Sequence, residues 1–303
     1  MSNISPRVDI AFKKIFGVEE NKDLLISLIN SVVSKEDQVT EVKLLNPYNP
    51  KNFKSDKLSI LDIKAQGEDG KKFNIEIQIT DEADYNKRAL YYWAKLYTEQ
   101  LKTAEDYATL SKAIGIHILN FTSILNEEKY HNVFHIVEKN SGLLYFKDLE
   151  LHTIELNKFT NNLKEQLSDL VKKVKTSLDR WSAFLTRNDL LNKDNLPKEL
   201  NDASLKKALT VLEVMNFTEE ERETYEGQIK WFRMEFSALK KYEQKYREEG
   251  REKGREEGRE EGREEGIQIG EAGLIKKMLT NGNSIETISK MTGLSVNKIK
   301  KLI

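Results

Sequence analysis

The stretch from Leu58 to Thr80, LSILDIKAQGEDGKKFNIEIQIT, sets most of what this chain can fold into. It reads as a β-hairpin. Side chains alternate along a strand, so Phe73, Ile75, Ile77 and Ile79 form one apolar face of the second arm and Asn74, Glu76 and Gln78 the other. In the first arm Ser59, Leu61 and Ile63 alternate with Ile60, Asp62 and Lys64. Gly67-Glu68-Asp69-Gly70 between the arms is a turn signal, with glycine able to take φ > 0. A loop of Glu68, Asp69 and a left-handed Gly70 would set Asp62 directly opposite Glu76, on the same face. Two carboxylates and an amide side by side are costly without a counter-charge. A divalent cation is the natural one, since hard cations take oxygen ligands, and the carbonyl of Ile77 would add a further oxygen.

The rest of the chain narrows the setting. Its 303 residues give room for one large domain or two small ones. The absence of cysteine excludes a disulfide scaffold and a thiolate metal site. The start, MSNISPRVDIAF, lacks a signal-peptide pattern, and no apolar run is long enough for a membrane helix. A soluble cytoplasmic protein with no membrane partner is expected. Although 33% of residues are charged, the formal net charge is −1. That excludes a globally basic nucleic-acid binder, and any DNA surface must come from local Lys and Arg patches.

In chain order, Asp9 begins an apolar helix after Ser5-Pro6, and Asn21 to Val33 forms a second. Val39 to Leu45 is a strand, broken by Asn46-Pro47-Tyr48-Asn49-Pro50. After the hairpin, Asp84 to Thr103 is a helix whose aromatic residues spread too widely for one core stripe, with Arg88 and Tyr92 sharing a face. Ala113 to Leu119 suits a strand buried on both faces, with His117 in it as a buried, satisfied histidine. Asn132 to Val137 and Leu149 to Leu156 complete the strands. His131, His135 and His152 show no metal-ligand spacing and are assigned no chemistry. Lys158 to Leu178, Arg180 to Arg187, Ser204 to Met215 and Thr218 to Tyr246 are helical by period, with Trp181 and Phe184 anchoring them on the sheet.

Glycine then recurs at every fourth residue from Gly250 to Gly270, separated by Arg-Glu-Glu or variants of it. Each glycine costs a helix ~1 kcal/mol relative to alanine, and each i,i+3 ion pair returns only about 0.2–0.5 kcal/mol. A marginal helix is expected, which acts as a solvated tether or lets a second helix pack closely along its glycine row. Beyond it, Ser284 and Ser295 are placed to cap two short helices around Thr292-Gly293-Leu294, which resembles a helix-turn-helix. Lys298 and Lys301 of its last helix would face DNA, or the tail would self-associate into a homo-oligomer through this C-terminal segment.

Several motifs in order carry a resemblance. They are Asp9-x-x-Phe12-Lys13-x-x-Phe16-Gly17, Leu61-Asp62-Ile63, Ile75-Glu76-Ile77-Gln78 and Arg88-x-x-Tyr91-Tyr92, then Ile116-x-Ile118-Leu119 and Ile154-Glu155-Leu156-x-Lys158-Phe159. Over roughly the first 240 residues the chain resembles the PD-(D/E)XK nuclease superfamily, and within it the recombination-promoting nuclease family of transposase-like proteins. The resemblance implies an α/β fold, with a restriction-endonuclease-like mixed central sheet flanked by helices and a C-terminal helical extension. It implies an Mg²⁺-dependent (or other divalent-cation-dependent) DNA endonuclease, with Asp62, Glu76 and the Ile77 carbonyl holding the metal. Gln78 stands where lysine is usual and would orient water or phosphate. On the superfamily pattern alone, Gln78→Lys is expected to keep or raise activity. Asp9 would lean toward the metal, or would only favour the positive helix N-terminus. Arg88 and Tyr92 would bind phosphate, or would only pack on the sheet. The alternative function is a non-catalytic DNA-binding or self-assembling protein on a degenerate nuclease fold. The expected divisions are a nuclease core over 1–160, a helical extension over 161–246, the glycine repeat over 247–273 and the tail over 274–303.

Overall fold

The computed structural model describes residues 4–48, 62–81, 84–101, 106–160 and 164–302. The predicted start of the hairpin, Leu58 to Leu61, and the Asn49-Pro50 break lie outside the described residues, as does the side chain of Asp62. The chain divides into two units, Met1–Phe232 and Arg233–Ile303.

The first unit opens with helices α1 (Asp9–Phe16) and α2 (Lys22–Val32), then strands β1 (Val42–Leu44), β2 (Asp62–Gly67) and β3 (Lys72–Gln78). Helix α3 (Tyr85–Thr98) leads to β4 (Ala113–Leu119), β5 (His131–Val137) and β6 (Leu144–Glu155). Helices α4 (Leu156–Phe159), α5 (Leu167–Lys173), α6 (Ser177–Arg187) and α7 (Ala203–Glu213) follow, and α8 (Glu219–Thr280) passes the division between the units.

Among the described residues the sheet has six strands in the order β1-β2-β3-β4-β6-β5. Pairing is antiparallel across β1, β2 and β3, parallel from β3 to β4 and from β4 to β6, and antiparallel from β6 to β5. The expected mixed sheet flanked by helices is what forms. Strand β4, AIGIHIL, is buried at every position, as a strand paired in parallel on both sides and covered on both faces must be. In β3 the alternation separates two buried layers rather than core from solvent. Phe73, Ile75 and Ile77 join Phe12, Phe16, Leu24, Leu28, Ile116, Trp181 and Phe184 in one apolar cluster. Asn74, Glu76 and Gln78 are buried on the other face. Each fully buried apolar side chain of this size stabilises the fold by about 1.5–3 kcal/mol. Trp181 and Phe184 join the later helices to this cluster, with Phe16 of α1 edge-on to Trp181 at 5.2 Å.

The predicted helix from Lys158 to Leu178 is broken. α4 ends at Phe159, α5 stops at Lys173 and α6 restarts at Ser177. Thr176 drives the restart. Its hydroxyl accepts from Asp179 N at 3.1 Å, and the Asp179 carboxylate accepts from Thr176 N at 2.7 Å. This reciprocal cap satisfies two donors that a continuing turn would have used differently. The start of α8 is capped in the same way by Thr218 and Glu221. Glu221, fully buried, also takes Lys14 Nζ at 2.6 Å and the Tyr48 hydroxyl, which ties α8 to α1.

In the second unit the glycine repeat is helical, and it is exposed to solvent. Residues 245–270 are exposed throughout, and a Cβ built on any of the repeat glycines meets nothing within 4 Å. Helix present on either side of the repeat removes the cost of nucleating it there. Helices α9 (Ile285–Thr292) and α10 (Val296–Leu302) follow. Ser284 caps α9, Gly293 ends it at φ +72°, and Ser295 Oγ accepts from Lys298 N at 3.2 Å. Ile275, Ile288 and Ile299 close a small core beneath them. No helix among the described residues is long and apolar enough to cross a membrane.

Candidate active site

The hairpin turn forms as its residues require. Gly70 sits at φ +88°, and its N–H donates to Gly67 O at 3.1 Å. The resulting register pairs Asp62 with Glu76. The row continues beyond the hairpin. β4 brings His117 beside Glu76, β6 brings Thr153 beside His117, and β5 brings Asn132 beside Thr153. Polar residues therefore sit at one level across β2, β3, β4, β6 and β5.

Helix α3 covers this face with one stripe, Tyr85, Ala89, Trp93 and Leu96, all buried. Trp93 Nε1 donates to Ala113 O at 3.1 Å and pins the helix to β4. From the same helix Arg88 reaches the acidic residue. Its Nη2 donates to Gln78 Oε1 at 2.5 Å and to Glu76 Oε1 at 3.3 Å. Gln78 Nε2 donates to Thr80 O at 3.2 Å, so the amide is oriented from both ends. Glu76 is 3% exposed, and the guanidinium is its counter-charge.

His117 is buried as predicted but not satisfied. Neither ring nitrogen has a hydrogen-bond partner among the described residues, and Nδ1 lies 3.7 Å from Glu76 Oε2. Burial, helped by the charge of Arg88, pulls its pKa down to about 4, so the ring is neutral at pH 7. Tyr85 packs edge-on to His117 at 5.9 Å and beneath Arg88. Burial and the charge of Glu76 push its hydroxyl pKa up, and the hydroxyl has no hydrogen-bond partner among the described residues. The Asn74 amide and the Thr153 hydroxyl are likewise buried without partners. Sequence reasoning assigned no role to any of these four. The available signal was His117 itself, the one ionisable residue in an otherwise apolar strand.

Asp9, at the first turn of α1, accepts from Gln228 Nε2 of α8 at 2.9 Å. Burial raises its carboxyl pKa to about 7, against the opposing pull of Gln228, Arg88 and Lys13. Arg88 thus links Asp9 electrostatically to Glu76. The folded state holds this proton more tightly than the unfolded chain does. That contribution to stability is complete below pH ~4 and is lost as pH rises through about 7. Asp9→Asn removes the cost of ionising the group. We expect it to stabilise the metal-free protein by ~2 kcal/mol at pH 8 and by almost nothing at pH 4, half of what three pKa units would give, because the charge also favours the helix N-terminus. Thermal melts in EDTA at the two pH values check this, and a gain that does not grow with pH refutes it.

Tyr92 is 36% exposed, one turn beyond Arg88, with its ring edge-on to Tyr91 at 5.4 Å. In the second unit Lys298 Nζ lies 2.9 Å from Glu271, and Lys301 is exposed. On the opposite face of the sheet His131 Nε2 lies 3.0 Å from His152 Nδ1, and His152 Nε2 lies 2.7 Å from Glu150. Sequence spacing gave no sign of that cluster because strand pairing assembles it.

No group of three or more His, Asp or Glu side chains among the described residues is set to hold a metal. The candidate set for a divalent cation is smaller: Asp62 and Glu76 as register partners, with the Ile77 carbonyl. Lys72 N donates to Lys112 O and Gln78 O accepts from Asn120 N, so even-numbered residues of β3 face β4. The Ile77 carbonyl is therefore directed to the β2 side, beside the position of Asp62. Carboxylate and carbonyl oxygens are the donors a hard cation takes.

No curated protein and no solved structure matches the chain. Residues 6–241 match the family model described as PD-(D/E)XK nuclease family transposase. That span takes in α1, all six strands, α3 and every residue gathered at the acidic row. It covers most of the chain, and the chain belongs to the PD-(D/E)XK nuclease family transposases.

Proposed function

We propose that this chain is an Mg²⁺-dependent DNA endonuclease of the recombination-promoting type. The observation that carries the reading is the Asp62–Glu76 register beneath Arg88, in a chain of a nuclease family. Asp62, Glu76 and the Ile77 carbonyl would hold the cation. When bound, it would activate water and neutralise charge developing on the scissile phosphate. The residues do the rest. Gln78 Oε1 orients the Arg88 guanidinium, and that guanidinium supplies the positive charge that lysine carries elsewhere in the superfamily. Its planar fork suits two phosphate oxygens. Tyr92, one turn along α3, adds a phosphate contact, and Asp9 steadies Arg88 from the other side. Lys298 and Lys301 give the tail its own contact with DNA, or the C-terminal segment joins copies into a homo-oligomer. The nuclease core is assigned to 1–160, the helical extension to 161–246, the repeat to 247–273 and the tail to 274–303, in a cytoplasmic protein.

A second reading has one observation in its favour. Arg88 already neutralises Glu76, as it would in a DNA-binding protein that has lost its chemistry. Supercoiled plasmid separates the two. Nicking is expected with Mg²⁺ and not with EDTA. Binding without nicking in Mg²⁺ and in Mn²⁺ would establish the second reading.

A further inference from the structure

We propose that His117 is a positioning residue for Glu76, a neutral imidazole that donates its Nδ1–H to Glu76 Oε2 and fixes the orientation in which that carboxylate takes a cation. This rests on the reading of Asp62 and Glu76 as the cation's ligands. His117 is 1% exposed and sits directly beside Glu76 in the parallel register. Every other residue of β4 is apolar or glycine, so the strand gains nothing from a polar ring there. Two buried nitrogens without partners are a standing cost, and native folds rarely keep such groups without a use for them. Nδ1 lies 3.7 Å from Oε2, a few tenths of an ångström beyond a formed bond, while Arg88 approaches Oε1 from α3 at 3.3 Å. His117 and Arg88 thus approach different oxygens of the carboxylate. A carboxylate oxygen accepts twice, so an Nδ1–H bond to Oε2 does not by itself exclude a metal there. A hydrogen bond of this kind to a ligating carboxylate typically changes metal affinity by about tenfold or more.

The test compares three variants of the full chain by calorimetric titration with Mg²⁺ and with Mn²⁺, alongside a metal-free thermal melt. His117→Leu removes both unpartnered nitrogens and keeps the bulk. Its melting temperature should stay level or rise while metal affinity falls about tenfold. A residue that only packs would show no such split. His117→Asn puts an amide nitrogen near the place of Nδ1 and should keep affinity within about threefold of the original, whereas His117→Gln carries its nitrogen near Nε2 and should fall with leucine. If the leucine variant does not fold, the difference between Asn and Gln decides, and equal affinities there overturn the proposal. Wild-type protein that binds neither metal overturns the reading of Asp62 and Glu76 and this inference with it. Wild-type binding matched by His117→Leu overturns this inference alone.

Discussion

Asp62→Ala is expected to give a folded protein that no longer cleaves DNA. Asp62 and Glu76 are direct cross-strand partners, where Cβ atoms are about 4.5–5.5 Å apart and like charges oppose one another by a few tenths of a kcal/mol. Without metal, removing one of them relieves repulsion, so the melting temperature should hold or rise slightly. The activity cost is of a different order. A lone Glu76 already shared with Arg88 is a poor site for a divalent cation, and the phosphate then meets no concentrated positive charge. We expect nicking of supercoiled plasmid in Mg²⁺ to fall at least about a thousandfold, or ~4 kcal/mol of transition-state stabilisation. Full activity in a folded Asp62→Ala protein would remove the acidic row from the mechanism.

The parts of this site that were legible in the sequence are the local ones. The loop of Glu68, Asp69 and Gly70 fixes register across a few residues, so the Asp62–Glu76 pair follows from turn chemistry and the period of two. His117 and Thr153 reach the same row only through parallel pairing, where the connections are long and no turn signal sets the register. The expectation of a satisfied histidine failed for that reason: its neighbours belong to two other strands and a helix. Arg88 was legible as a residue sharing a face with Tyr92, but α3 turns Arg88 toward the sheet and leaves Tyr92 at the surface, a rotation set by Trp93 and its bond to Ala113. The unbroken helix from Lys158 to Leu178 failed because apolar spacing persists through a stop. Thr176 and Asp179 had the spacing of a reciprocal cap, and that local signal outweighs the period. The capped tail after Ser284 was legible because its caps and its left-handed Gly293 lie close together in the chain.

Gln78→Lys is expected to lower cleavage at least tenfold and to destabilise the fold, the reverse of what the superfamily pattern alone suggests. Gln78 is 8% exposed, and its carbonyl oxygen takes Arg88 Nη2 at 2.5 Å. A lysine there turns an acceptor into a cation facing a cation. Two positive charges about 4 Å apart repel by roughly 4 kcal/mol at an effective dielectric near 20, and moving Arg88 outward relieves this only by giving up its bond to Glu76. The amide nitrogen also loses its bond to Thr80 O. One positive charge beside Glu76 suits this site and two do not, so glutamine at 78 and arginine at 88 belong together. Arg88→Gln should therefore repair the lysine variant, because the pair then carries a single charge on the strand instead of the helix. Plasmid nicking rates and thermal melts of the two single variants and the double variant measure the coupling as a double-mutant cycle. Rescue of rate and melting temperature in the double variant is the expected result. A Gln78→Lys protein as active and as stable as the original would mean that Arg88 is no part of the working site.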